Sequence, residues 1–177
     1  SAATPAKALD RDNAEMARYL GGVQKQIAEC DKEIQRLTAK KDAGKGDEMQ
    51  DFDNRRLAFA KKNRELLQTM AAALEAGNLD QAKVLREQQQ EFSGAWWSVG
   101  EPTAYIEAQR RRWTSLADGA TPEMKASWDE LNQSYDVLLS KLNARWAMEK
   151  EIKDLRAKTG ALTGKLEKMA REAEKAK

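Results

Sequence analysis

Residues 16–37 read MARYLGGVQKQIAECDKEIQRL, and their spacing decides the fold. Met16, Leu20, Val23, Ile27, Cys30, Ile34 and Leu37 recur at steps that alternate four and three. That is the seam of a helix packed lengthwise on another helix; a half-buried strand would alternate at every second residue instead. Gly21-Gly22 lies inside the stretch without disturbing the spacing. Each glycine costs ~1 kcal/mol in a helix, so the pair is expected to mark a kink or a close approach. Working outward, the helix extends from about Pro5 to Lys41, with Leu9 prolonging the stripe and Asn13 on the seam.

Lys40 to Asp47 forms a charged tip, where Gly44 and Gly46 mark a turn. Asp47, with Gln50 three residues later, has the spacing of a capping box that opens a second helix. Its stripe is Met49, Phe52, Arg56, Phe59, Asn63, Leu66, Met70 and Ala73, with Leu67 and Leu74 beside it. Folding about the tip sets Leu37 near Phe52, Cys30 near Phe59 and Val23 near Leu66. Residues 5–76 are therefore expected to form a long antiparallel hairpin. Cys30 falls on its apolar face and reads as a small core residue rather than a reactive thiol.

Ala76-Gly77-Asn78-Leu79-Asp80-Gln81-Ala82 resembles the turn between the two helices of a tetratricopeptide repeat. The likeness covers about twenty residues, has no second copy at the repeat's roughly 34-residue period, and follows a helix too long for that pattern. It implies a helix–turn–helix corner and carries no peptide-binding function. Residues 80–117 then read as two short helices around a connector that holds Trp96-Trp97 between Gly94 and Gly100. The first presents Val84, Leu85 and Phe92; the second opens near Pro102 and presents Ile106, Trp113 and Leu116. Thr121-Pro122 begins a last long helix over 122–175, since a threonine cap followed by proline suits a first turn. Its stripe passes through Met124, Trp128, Leu131, Tyr135, Leu138, Leu142 and Trp146, slips phase, and resumes through Ile152, Leu155, Leu162, Leu166 and Met169, with Met148 beside it. This helix outruns the hairpin. Its first half is expected on the short helices and its second half along the hairpin, with Gly160 and Gly164 as the place for a bend.

Composition agrees with this reading. Ala, Glu, Lys, Leu and Arg make up about half of the 177 residues, the share at which long helices are expected. The fold class is all-α: an elongated antiparallel helical bundle or coiled coil of about five helices, three of them long, with no sheet, as a single helical domain over 1–177. No apolar run approaches the ~20 residues that cross a bilayer. Ser1-Ala2-Ala3-Thr4-Pro5 suits a mature end left by signal cleavage, which gives an expectation of a periplasmic or secreted bacterial protein; an arbitrary boundary fits it equally.

The chain has no histidine and one cysteine. That removes the commonest general base, the nucleophile pairs that depend on it, and a thiolate zinc site. No phosphate-binding glycine loop is present. The expectation is a protein that is not an enzyme and that uses no cofactor, metal or small-molecule substrate. Charge balances to within one unit in each of residues 1–79, 80–117 and 118–177, so no face attracts duplex nucleic acid. What remains as a candidate interaction surface is Trp96 and Trp97 with the nearby Arg110, Arg111 and Arg112. The two indoles either plug the bundle end or form an exposed platform.

These features lead to a non-catalytic scaffold or adaptor working through protein–protein contacts, with a second copy of the chain among the candidate partners. The rivals are a peripheral membrane-surface or cell-envelope binder using Trp96, Trp97 and the arginines, and an extracytoplasmic chaperone-like holder of unfolded chains. Ile27→Asp places a charge on the seam and is expected to lower stability by roughly 3 kcal/mol. Thermal unfolding checks this, and an unchanged midpoint counts against the seam.

Overall fold

The computed structural model describes residues 4–43 and 49–177, with side chains from residue 13 onward. The turn at Gly44 and Gly46, the capping box at Asp47 and the side chain of Leu9 lie outside the described residues. Among the described residues all regular structure is helical and there is no strand. The elements are α1 (Thr4–Asp42), α2 (Gln50–Glu75), α3 (Leu79–Ala95), a π-turn (Trp96–Gly100), α4 (Glu101–Ser115) and α5 (Pro122–Lys175).

Because α3, the π-turn and α4 follow one another without a break, they form one rod. The described residues thus make four rods rather than about five helices. The connector expected around Trp96-Trp97 is itself helical. Two local facts explain the difference. The Glu101 N–H donates to the Trp96 carbonyl five residues back, so the backbone widens just ahead of Pro102 and absorbs a ring that would otherwise clash with the preceding turn. Gly94 and Gly100, read as helix stops, instead make room for indoles. A Cβ on Gly94 would lie 2.9 Å from Cη2 of Trp146, and one on Gly100 would lie 2.8 Å from Cε3 of Trp96. The true stops are Gly77 and Gly119, with φ of 75° and 105°. Asn78 then caps α3, its side-chain oxygen accepting the Gln81 N–H at 3.0 Å, and the Thr121 hydroxyl accepts the Met124 N–H at 3.2 Å to cap α5.

The α1–α2 pair is antiparallel. Three ion pairs fix its direction: Lys40 with Asp53, Glu33 with Arg56 at 2.9 Å, and Asp31 with Arg64 at 2.7 Å. Between them the seam is buried, with Val23 and Cys30 in one cluster with Leu67, Met70 and Leu74. α1 runs straight through Gly21 and Gly22, and nothing approaches either within 4 Å, so the pair marks no close packing. The third rod closes the core. Ala82 is fully buried in the same cluster, and the Arg86 guanidinium lies over the Tyr19 ring at 5.3 Å. Val84, expected on the inner face, is exposed. Asn63 ties the three rods: its amide donates to the Cys30 sulfur at 3.7 Å and its oxygen accepts from Gln89 at 2.9 Å. A polar residue on an apolar seam is tolerated when it is satisfied in this way.

The rod then runs along α2 to the other end, where Tyr105 meets Phe52 edge-on at 5.7 Å and Arg111 bridges to Asp51 at 2.7 Å. The inward positions shift by one residue across the π-turn. Ala82, Gln89 and Trp96 face inward before it; Ala104 and Ala108 do so after it, where plain α-spacing would have given 103 and 107. One extra residue in the turn therefore keeps the same side of the rod on α2.

Among the described residues, α5 packs mainly on the third rod, with its first half and the turn that follows, as far as Lys150. Arg110 pairs with Asp136 and donates to the Asn132 carbonyl, the Trp146 indole sits over Gly94, and Lys150 reaches Glu91 at 3.0 Å. From Ala147 to Lys177 every residue is exposed. The expectation that this half lies along the hairpin is therefore corrected. The helix continues unbroken past Gly160 and Gly164.

Glu33 gives the hairpin an acid-sensitive element. The hydrogen bond from Arg36 holds its carboxyl below the ordinary 4.5, against the burial that raises it; the charges of Arg36 and Arg56 add to the lowering. Its folded-state value is thus depressed, so the stabilisation is present above the unfolded value and is lost as pH falls through the lower folded one. Urea midpoints between pH 7 and pH 3 should show a smaller acid-induced loss for Glu33→Gln than for the parent chain. Equal losses would separate Glu33 from the acid response.

Candidate functional site

Phe59, on the α2 stripe, gathers three aromatic residues of the third rod, Phe92, Trp96 and Trp97. Trp96 stacks on it at 5.0 Å with planes 11° apart, Phe92 stacks at 5.3 Å, and Trp97 meets it edge-on at 5.7 Å. Adjacent residues on a regular helix point about 100° apart and cannot both face one neighbour closely. The π-turn that begins at Trp96 lowers that angle, which lets both indoles touch Phe59. The outcome divides the pair. Trp96 is half-buried and wedged against Gly100, whereas Trp97 keeps 57 % of its surface exposed.

A cleft of about 360 Å³ opens beside them, lined by Cys30, Glu33, Arg56 and Asn63 as well as the two indoles. Burial pushes the Cys30 thiol up from its ordinary value, and the Asn63 hydrogen bond only partly offsets this. A raised thiol pKa acts against the thiolate, which is the nucleophilic form.

The three arginines do not join this cluster. Arg110 reaches α5, where it pairs with Asp136 and lies 6.0 Å from the Tyr135 ring. Arg111 reaches α2 through Asp51, and Arg112 covers its neighbour Trp113 at 5.5 Å. They sit about 20 Å along the rod from the two tryptophans at the helical rise of ~1.5 Å per residue. The structure therefore brings Trp96 and Trp97 together and sends the arginines to three different surfaces. Their positions fasten rods to one another, which a run of three basic residues does not reveal by itself.

Two features of the structure go beyond what the sequence shows, a cavity at one end of the third rod and, among the described residues, the absence of a partner on a stripe of α5. The first is a cavity of about 460 Å³ where α4 and α5 diverge around the Gly119 turn, walled by Trp113, Leu116, Met124, Trp128 and Leu131. Trp113 and Trp128, expected in the core, are each only half-buried, because among the described residues no further rod lines this cavity. The second is the apolar stripe on the free half of α5. Met148, Ile152, Leu155, Leu162, Leu166 and Met169 are all exposed, Leu166 the most at 65 %. The spacing that marks this stripe was visible in the sequence; its lack of a partner was not.

Among the described residues no group of three His, Cys, Asp or Glu side chains is placed to hold a metal ion, and no helix is long and apolar enough to cross a membrane. No family model, curated protein or solved structure matches the chain.

The two indoles should separate in a stability measurement. Trp96→Ala removes a stacked ring from the α2 face and is expected to cost about 2 kcal/mol in urea unfolding, less than the ~3–5 of a fully buried tryptophan. Trp97→Ala should cost under ~1 kcal/mol. Equal losses would show that Trp97 carries as much packing as its neighbour.

Proposed function

We propose that this chain is a non-catalytic helical scaffold that acts through protein–protein contacts, with the free half of α5 as its contact surface. The observation that carries the reading is the exposed stripe from Met148 to Met169, which repeats at steps of four and three once Thr159 is counted. Such a repeat is the pattern of a coiled-coil seam. Each large apolar side chain on it is only about half exposed, so full burial would gain half of the ~1.5–3 kcal/mol of a fully exposed one, which still favours a partner over solvent.

The change of face along α5 supports the same reading. Up to Trp146 the half-buried residues Trp128, Leu131, Tyr135, Leu142 and Trp146 share the side that meets the third rod. At about 100° per residue, Met148 and Leu155 lie roughly opposite and Ile152 about 120° round from Trp146. A partner on this stripe meets no collision from the chain's own bundle. The phase slip read in the sequence is thus the point where the helix stops facing its own core and starts facing outward.

The rival membrane-surface reading draws on Trp97 alone, since each arginine meant to accompany it is engaged with another group. An apolar helix stripe flanked by charges of both signs suits another helix better than an anionic lipid surface, which selects a basic polar face.

A photoreactive amino acid in place of Leu162, in the cells that make the protein, tests the proposal. Illumination is expected to give a discrete protein adduct that is lost when Leu155→Asp and Leu166→Asp are added. Adducts to lipid only, or none, would overturn the reading.

A further inference from the structure

The free stripe of α5 also carries enough charge information to select its occupant. We propose that residues 148–173 pair with the same residues of a second copy of the chain, in parallel and in register, as a two-stranded coiled coil. The inference rests on the scaffold reading above and narrows its partner.

The seam assigns Ile152, Thr159, Leu166 and Ala173 to the first core position of each heptad, and Met148, Leu155, Leu162 and Met169 to the fourth. Ile152 at a first position followed by Leu155 at a fourth matches the pattern that favours two strands in a parallel coiled coil, although Thr159, Leu166 and Ala173 do not extend it. The residues flanking the core then decide orientation. In a parallel, in-register pair, each residue just before a first core position faces the residue five places on in the other copy. Glu151 of one copy meets Arg156 of the other, twice by symmetry, while Lys158 meets Thr163 and Lys165 meets Ala170. No like charges oppose one another.

The antiparallel arrangement at full overlap sets Glu151 against Glu172 and Lys158 against Lys165, again twice each. Shifting it by one heptad in either direction sets Glu151 against Lys165 or Lys158 against Glu172, twice, but leaves Lys158 or Lys165 against its own copy and gives up a heptad of overlap. Like charges across a coiled-coil seam act against that pairing. The parallel arrangement also suits the shape of each copy. Its bundle lies on the side of α5 away from the stripe, so two bundles stand apart at one end while the tails wind together. The expected tail is about 37 Å long at 1.5 Å per residue, enough for more than three heptads. Gly160 and Gly164 stay clear of the core positions, and nothing lies within 4 Å of either.

Sedimentation of the full chain at micromolar to tens-of-micromolar concentration is expected to give twice the 19.9 kDa of one copy. Leu155→Asp with Leu162→Asp should give one copy while leaving the near-ultraviolet tryptophan spectrum unchanged, since both side chains are exposed within a single chain. In a chain carrying Cys30→Ala, Ile152→Cys should form a disulfide-linked pair under mild oxidation, because a parallel register places the two positions side by side. A single copy at every concentration would overturn the proposal, as would a pair that survives both aspartates. A pair that fails to crosslink through Ile152→Cys would also overturn it, since antiparallel chains place that position opposite Met169. A monomer that still yields the protein adduct of the preceding test would remove self-pairing alone; loss of that adduct as well would remove the scaffold reading.

Discussion

Leu67 has no exposed surface, and it sits in the cluster where α1, α2 and α3 meet. Around it the chain solves the problem that its composition sets. Few large apolar residues are available, and isolated helices of ordinary length are marginal in water. Stability must come from burying narrow stripes along their whole length against one another. The α1–α2 seam does this first, and its ion pairs fix the direction and register on either side. The third rod can then lie along α2 only because small residues, Ala82, Ala104 and Ala108, let it approach. α5 depends in turn on that rod, which supplies Gly94 as the floor for Trp146.

The polar groups inside this arrangement act as fasteners rather than as chemistry. Asn63 joins Cys30 to Gln89, Arg111 joins α4 to α2, and Arg110 joins α4 to α5. Exposed ion pairs of this kind contribute little individually, about 0–1 kcal/mol. Their value lies in selecting one register among the several that a repeating stripe permits. Asn63 has the larger stake, because losing either partner would leave an amide unsatisfied among apolar neighbours.

How much could be read from the sequence follows from where each partner lies. The hairpin was legible because both of its stripes are in the chain and align about one turn. The cap at Thr121 was legible because capping is local chemistry. The third rod was not: Gly94, Gly100 and Pro102 resemble punctuation, and only the structure shows that two of them accommodate indoles and the third is absorbed by a π-turn. The exposure of Trp97 beside the half-burial of Trp96 also depends on that turn. The arginines adjoin in sequence, but helical rotation sends them to separate neighbours. The free half of α5 was misplaced for a different reason. A stripe states that it wants a partner and does not state which surface will supply one.

The π-turn has a consequence for how the chain tolerates changes in length. A helical rod normally cannot lose a residue from its middle, because everything downstream rotates and its inner face swings into solvent. The segment from Trp96 to Gly100 already holds one residue more than an α-helix needs. Removing Ser98 would keep Ala104 and Ala108 turned toward Phe52 as the segment tightened, at the cost of the widened turn that accommodates Pro102. The rod thus carries a built-in slack of one residue, and shorter versions of this chain would be expected to take their gap there.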